Sequence, residues 1–240
     1  MIELTAISGK IMAFFLFRWI RKLVSRLMLF SVIWVIIYAF LPPPGTALML
    51  YRWSEKDYSI DKDWVSLSEI SPNIIKAVIS SEDQRFINHW GFDFRQIKKA
   101  VLDDNSSRGA STISQQVAKN VFLWPARNWV RKGLEVWFTV LLEIFWTKER
   151  TLQIYLNVAE MGKGIYGVEA ASRIYFDKPA SKLNPYEAAM LAATLPSPLK
   201  NNPHKPTAAL LARQAHILRA MSKIPAQYYK PIIDASQADS

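Results

Sequence analysis

The stretch that most constrains this chain is RKLVSRLMLFSVIWVIIYAFLPPPG, residues 21–45. No charged residue occurs from Leu27 to Leu41. Carried back to Val24, with the Arg26 stem snorkelling, the run can cross a hydrocarbon layer of about 30 Å at about 1.5 Å per residue. Pro42, Pro43 and Pro44 then stop the helix. The spacing predicts a membrane span over 24–44. A cleaved signal peptide and a buried core helix are the alternatives. Cleavage needs small residues near the site, whereas Tyr38, Phe40 and Leu41 are bulky. Lys10, Arg18, Arg21, Lys22 and Arg26 precede the span's end against one acid, Glu3. The positive-inside rule therefore puts 1–23 in the cytoplasm and everything after Pro44 outside a plasma (inner) membrane, on its periplasmic face.

The rest of the 240 residues is long enough for one globular domain with a sizeable core. There is no cysteine, so disulfides are excluded. The net charge of +10 is spread along the chain rather than run together, which argues against a nucleic-acid tail. An anionic lipid surface or a phosphate-bearing substrate suits the same charge.

Residues 45–70 read as a membrane-proximal linker with a short strand. From Ser71 the pattern is helical: Ser71-Pro72 opens a helix with Gly91 near its far end, and Thr112 with Gln115 has capping-box spacing. Further helices are predicted over 131–146, 148–157, 164–176, 184–195 and 206–221. No alternating strand series and no repeat occurs, so the expected fold is all-α, with a helical domain over 71–225 and a tail over 226–240.

Within the first helix, Ile75, Val78, Ile79, Glu82 and Phe86 form one apolar stripe. A carboxylate there is desolvated, its pKa is raised, and it suits general acid or base work. A structural glutamate paired with Arg85 or His89 explains the same placement. Asp83 points elsewhere and is expected to cap or pair. In RGASTISQQVAKN (108–120), Ser111, Thr112 and backbone N–H groups lead into a helix start that suits an anion. Taken alone, a capped helix with a polar surface is the plainer explanation. Gln115 and Lys119 are four apart and share a face. Arg127, Arg131 and Glu135 follow at four-residue steps, with Lys132 between, as ion pairs along a helix would. Glu135 also starts an apolar face through Thr139, Leu142 and Trp146. Residues 120–129 set Val121, Phe122, Leu123, Trp124 and Trp129 beside arginines, as either core or a lipid-interface segment. The three histidines are scattered, so no zinc site is expected.

Together these elements resemble the peptidoglycan glycosyltransferases of family 51. Glu82-Asp83-x-x-Phe86-x-x-His89-x-Gly91 resembles the first signature. Gly109-x-Ser111-Thr112-Ile113-x-Gln115-Gln116-x-x-Lys119-Asn120 resembles the second, and Arg131-Lys132-x-x-Glu135 the third. Lys148, Tyr155-Leu156-Asn157, Gly162, Gly167 and Tyr175-Phe176 resemble the fourth, and Glu187-Ala-Ala with Pro198 and Asn202-Pro203 the fifth. Thr147 and Gln153 depart from the usual Ser and Glu. No transpeptidase domain follows, so the resemblance is to the monofunctional biosynthetic transglycosylases.

The resemblance implies a lysozyme-like helical lobe with a small membrane-facing jaw, residues 121–130 touching lipid, and polymerisation of lipid II. In that scheme Glu82 is the general base. Lys119, Arg127, Arg131 and Lys132 stabilise the pyrophosphate leaving group. Glu135 orients these cations or holds a divalent cation (Mg2+ or Mn2+) on the pyrophosphate. Ser111, Thr112, Gln115 and Gln116 line the cleft. The implied partners are lipid II, the growing glycan strand, membrane lipids and cell-division or elongation synthases, with no nucleic acid and no organic cofactor. A lytic enzyme on the same fold would not need the cations around Glu135. A catalytically idle scaffold would not need Glu82, Lys119 and Glu135 together.

Overall fold

The computed structural model describes residues 2–55, 58–102, 111–126 and 128–238. The chain divides into two compact units, Met1–Leu41 and Pro42–Ser240. The first is one helix, α1 (Ile2–Phe40), which ends just before the three prolines. Within it, Phe14–Phe40 is long and apolar enough to cross a membrane. Large apolar side chains such as Leu23, Leu27, Leu29, Phe30 and Phe40 are exposed along this stretch, as lipid-facing residues are.

The second unit runs through α2 (Ala47–Trp53), α3 (Pro72–Glu82), α4 (Phe94–Leu102), α5 (Ile113–Phe122), α6 (Trp129–Phe145) and α7 (Lys148–Val158). It continues through α8 (Val168–Phe176), α9 (Pro185–Thr194), α10 (Ala208–Lys223) and α11 (Lys230–Ala238). Three very short strands, β1 (Asp61–Lys62), β2 (Glu160–Gly162) and β3 (Ile165–Tyr166), form a sheet in the order β1-β3-β2. β3 is parallel to β1 and antiparallel to β2, with an irregularity between Glu160 and Gly162. The all-α class holds, with this sheet as a small addition. It also moves one boundary: the helix expected over 164–176 starts at Val168, because the residues before it pair as strands.

Two helix groups make the core. α3 packs against α9 and α10, and α5 packs against α6 and α7. α3 forms because Ser71 caps it, accepting from the Asn73 N–H at 3.3 Å, and Pro72 stands at its first position, where no N–H is needed. Its Ile74, Ile75, Val78 and Ile79 are essentially fully buried, each stabilising by about 1.5–3 kcal/mol. The helix ends at Glu82 rather than running on towards Gly91. Asp83 leaves helical geometry at φ −156° and ψ 77°, and its carboxylate turns to other partners. Phe86 still reaches the core, from a short 3-10 turn. Gly91 serves a different purpose. Its φ is 71°, and a Cβ there would lie 2.6 Å from Thr139 Cγ2 on α6, so only glycine fits against that helix.

Candidate active site

Glu82 is the last residue of α3, and its side chain is 13% exposed. Neither Arg85 nor His89 is its partner. The Gln116 amide on α5 donates to Glu82 Oε2 at 2.9 Å, and Arg213 on α10 approaches Oε1 at 3.6 Å. Burial pushes the Glu82 carboxyl above its ordinary range, the direction that its place on an apolar stripe implies. Gln116, Arg213 and Lys119 oppose the shift, and Asp83 adds to it.

The neighbouring signature residues build the frame. His89 Nε2 lies 2.9 and 3.0 Å from the two Asp83 oxygens, and Asp83 also accepts from the Ile113 N–H at 3.1 Å. That bond satisfies one of the orphan donors at the start of α5. Lys148 donates to the His89 carbonyl and to Glu143, at 2.8 Å each, while Ser114 donates to Glu143 at 2.6 Å. Arg85 pairs with Asp93 at 3.6 Å.

The α5 start separates four residues that the resemblance groups as cleft-lining. Thr112 and Gln115 are buried and form a reciprocal capping box. Thr112 Oγ1 accepts from the Gln115 N–H at 3.2 Å and donates to the Gly91 carbonyl at 2.6 Å. These two side chains face the helix start, not the cleft. Ser111 and Gln116 do line it. The partner of Lys119 on the cleft face is thus Gln116, rather than Gln115.

The cleft itself measures 610 Å³, and Ser111, Gln116, Lys119, Arg131, Lys132 and Glu135 contribute to its wall. Asn128 caps α6 by accepting from the Arg131 N–H at 2.8 Å, which sets the helix that carries the last three. Glu135 is 3% exposed; one of its oxygens accepts from Arg131 at 2.7 Å and the other from Lys132. Arg131 Nε is buried and has no hydrogen-bond partner among the described residues. Lys119 opens onto the cleft, yet the protein around its ammonium lowers its pKa by desolvation. Glu135 and Glu82 oppose that shift, and Arg131 and Lys132 reinforce it. Arg127 lies outside the described residues, as does Gly109 of the second signature.

A divalent cation does not fit the protein's own donors here. Both oxygens of Glu135 are already engaged by cations, and the described residues offer no group of three or more His, Asp or Glu arranged to hold a metal.

Several site residues had no role assigned from the sequence, although Tyr155 stands in the fourth signature. Arg213 comes from α10 and Tyr155 from α7, where the Tyr155 hydroxyl donates to Gln116 Oε1 at 3.2 Å. Arg52 and Glu160 close another part of the cleft wall, 3.6 Å apart, and Tyr58 donates to Glu160 at 2.6 Å. Burial and the Glu160 charge push the Tyr58 phenol up to about 12. Nothing local in the sequence marks these contacts, since Tyr58 and Glu160 are far apart along the chain.

Beside the cleft, α6 shows an unusual outer face. Val136, Val140 and Ile144, at four-residue steps, are exposed, as are Trp124, Trp129 and Val130. Trp129 is 90% exposed. Val121, Phe122 and Leu123 are buried instead, with Phe122 stacked on Phe138 at 4.6 Å. The segment expected to touch lipid is thus divided: its first part is core, and its apolar exposure begins at Trp124.

Comparison with known proteins matches the sequence to a family. The family model described as Transglycosylase covers residues 50–222. A biosynthetic peptidoglycan transglycosylase of Bdellovibrio bacteriovorus is 48% identical over 213 residues, 85% of this chain and 85% of that protein. One of Bacteroides thetaiotaomicron is 49% identical over 216 residues, 87% of each chain. One of Pseudomonas putida is 46% identical over 229 residues, 91% of this chain and 97% of that protein. With that match across most of its length, the chain belongs to the transglycosylase family.

Proposed function

We propose that this protein is a peptidoglycan glycosyltransferase that polymerises lipid II into β-1,4-linked glycan strands for the cell wall. The observation that carries the reading is the pairing of Glu82, a largely buried carboxyl with a raised pKa, with a cleft walled by Lys119, Arg131 and Lys132. A base and a cationic site for a leaving group are what transfer from a pyrophosphate donor requires. A lytic enzyme has no anionic leaving group and no use for the second feature.

In the proposed reaction, Glu82 takes the proton of the acceptor sugar's 4-hydroxyl as that oxygen attacks C1 of the donor MurNAc. The new C1–O4 bond forms as the bond from C1 to the pyrophosphate oxygen breaks. Undecaprenyl pyrophosphate leaves with the bonding electrons, and the proton remains on Glu82. The α-linked donor becomes a β-linked product, so the configuration inverts. Negative charge grows on the pyrophosphate, where Lys119 and Arg131 are placed to meet it. Glu135 is the residue that holds Arg131 and Lys132 in position. No step is routed through a divalent cation, because Glu135 is already occupied by these two side chains.

α1 anchors the enzyme in the membrane that holds its polyprenyl-linked substrates. The charge pattern around it supports a cytoplasmic N-terminus, with the catalytic unit on the outer face of the plasma membrane. The exposed Trp124, Trp129, Val130 and outer face of α6 give the cleft an apolar border suited to lipid contact. Incubation of the full-length protein with labelled lipid II tests the reading. Polymer that a muramidase then degrades supports it. Degradation of preformed glycan without polymer supports a lytic enzyme instead.

A further inference from the structure

The first helix after the membrane span, α2, reads ALMLYRW and carries one charge, Arg52. At about 3.6 residues per turn, Leu48, Met49 and Arg52 fall on one side and Leu50, Tyr51 and Trp53 on the other. The first side belongs to the protein. Met49 is buried, Leu48 and Arg52 line the cleft that holds Lys119 and Arg131, and the helix packs against α5. The second side is open: Leu50 is 66% exposed, Tyr51 44% and Trp53 70%. A helix that is apolar on every side is normally buried on every side.

Composition, position and size together identify what the open side meets. A leucine beside a tryptophan and a tyrosine is the set of side chains that settles at a bilayer boundary, where a ring keeps one end apolar and the other wet. The chain also keeps α2 close to that boundary. α1 ends at Phe40 and α2 begins at Ala47, so the connection is the six residues Leu41 to Thr46, three of them proline. Seven steps of at most about 3.6 Å reach no further than about 25 Å. A protein partner fits less well. Seven residues make a helix about 10 Å long, and one face of it falls far short of the roughly 800 Å² per partner that a stable protein contact buries. A lipid surface sets no such minimum, because α1 already holds the chain there.

We infer that α2 is an interfacial helix: Leu50, Tyr51 and Trp53 sit among lipid headgroups and the first acyl carbons, while Leu48 and Arg52 on its other side form cleft wall. The inference rests on α1 being the membrane anchor. It adds a lipid contact separate in sequence from Trp124, Trp129 and α6, and it sets the level of the cleft. Only one helix thickness, about 10–12 Å with side chains, separates the lipid face of α2 from the cleft wall. The cleft therefore opens near the depth of the headgroups, where the pyrophosphate of a polyprenyl-linked substrate must stay because its charge cannot enter the acyl layer.

The chain has no cysteine, so single ones can be introduced and labelled with a small fluorophore. Phe30→Cys reports on α1, Leu50→Cys on α2, and Ser222→Cys on an exposed position of α10. The full-length proteins are placed in phosphatidylethanolamine–phosphatidylglycerol vesicles and quenched by aqueous acrylamide or by a nitroxide carried near the lipid headgroups. The label at position 50 should be quenched by the nitroxide lipid. It should also be about three- to tenfold less sensitive to acrylamide than the label at 222, as a side chain about 5–10 Å into the interface is. Equal behaviour at 50 and 222 overturns the inference, as does shielding that follows protein concentration rather than lipid. If acrylamide reaches the label at 30 freely, the anchor reading fails and the inference falls with it.

Leu50→Asp with Trp53→Asp tests the link to the cleft, with helical circular dichroism retained. kcat/KM for lipid II in vesicles should fall at least about fivefold, a fraction of what withdrawing a leucine and a tryptophan from an apolar layer costs. A water-soluble, short-chain lipid II analogue, which needs no interface, should shift by less than about twofold on the same scale. The milder Leu50→Ser with Trp53→Ser should give a smaller loss, again confined to vesicles. Equal losses for both substrates, or none, overturn the link. A wild-type protein that turns over neither substrate removes the polymerase reading, while the quenching pattern still decides the lipid contact.

Discussion

Gln116 donates its side-chain amide to Glu82 at 2.9 Å, and this bond ties the proposed base to the wall of the cleft. The amide cannot turn over freely, because its own oxygen accepts from the Tyr155 hydroxyl at 3.2 Å. Burial holds the Tyr155 phenol well above its ordinary pKa, so it remains a donor across the working pH range. Gln116 stabilises the ionised form of Glu82, while burial favours the neutral form. Replacing Gln116 with leucine should therefore raise the Glu82 pKa. A base works when deprotonated, so the acid limb of the kcat/KM profile moves to higher pH. The rate near neutrality should fall about tenfold, the scale of one hydrogen bond to a charged group. A pH–rate profile identical to wild type would contradict the role.

Arg213 acts on the same carboxylate from α10, at 3.6 Å, and its side chain is 41% exposed. Arg213→Gln should shift the acid limb in the same direction but by less, since solvent screens this pair. Added salt should move the wild-type limb upward and leave the variant's limb nearly in place. A limb that responds to salt equally in both proteins would separate Arg213 from Glu82.

On the cation side, Lys119 has a lowered pKa, and the Glu135 charge is the largest influence opposing that shift. Glu135→Gln should lower it further. If protonated Lys119 stabilises the pyrophosphate, the basic limb of kcat/KM then moves to lower pH. Lys119→Ala should abolish that limb and slow turnover by at least about a hundredfold, as loss of a donor to a developing anion does. An unchanged turnover rate in Lys119→Ala would remove it from the leaving-group site.

Asp83 and Gly91 should matter for stability rather than chemistry. Asp83→Ala leaves His89 and the Ile113 N–H without a buried partner, and should cost about 3 kcal/mol in thermal unfolding. Gly91→Ala should cost at least about 1 kcal/mol from its positive φ, and more from the clash with Thr139. Thr139→Ser removes the methyl at 2.6 Å, so it should recover part of the loss in the double variant. Additive losses would show that the contact is not the cause.

These relationships mark how far the sequence could be read. The stripe of Ile75, Val78, Ile79 and Glu82 was legible because it is a single helix turn repeated, and the structure keeps all four on α3. The end of that helix was not legible. Asp83 leaves it to cap α5, a contact across thirty residues that leaves no periodic trace. Thr112 and Gln115 had the spacing of a capping box and form one, and this same engagement keeps them from the cleft. β1, β2 and β3 are too short to show alternation. Arg213, Tyr155 and Arg52 reach the site only through tertiary packing, so local spacing could not assign them to it.

Glu82 is tested as the base most directly by setting wild-type protein beside Glu82→Gln in vesicles containing labelled lipid II. Polymer is separated by length before and after muramidase digestion, and circular dichroism confirms the helical fold of both. Muramidase-sensitive strands are expected from the wild type and none from Glu82→Gln, with the two spectra alike. Strands of near-normal length and yield from Glu82→Gln would contradict that role.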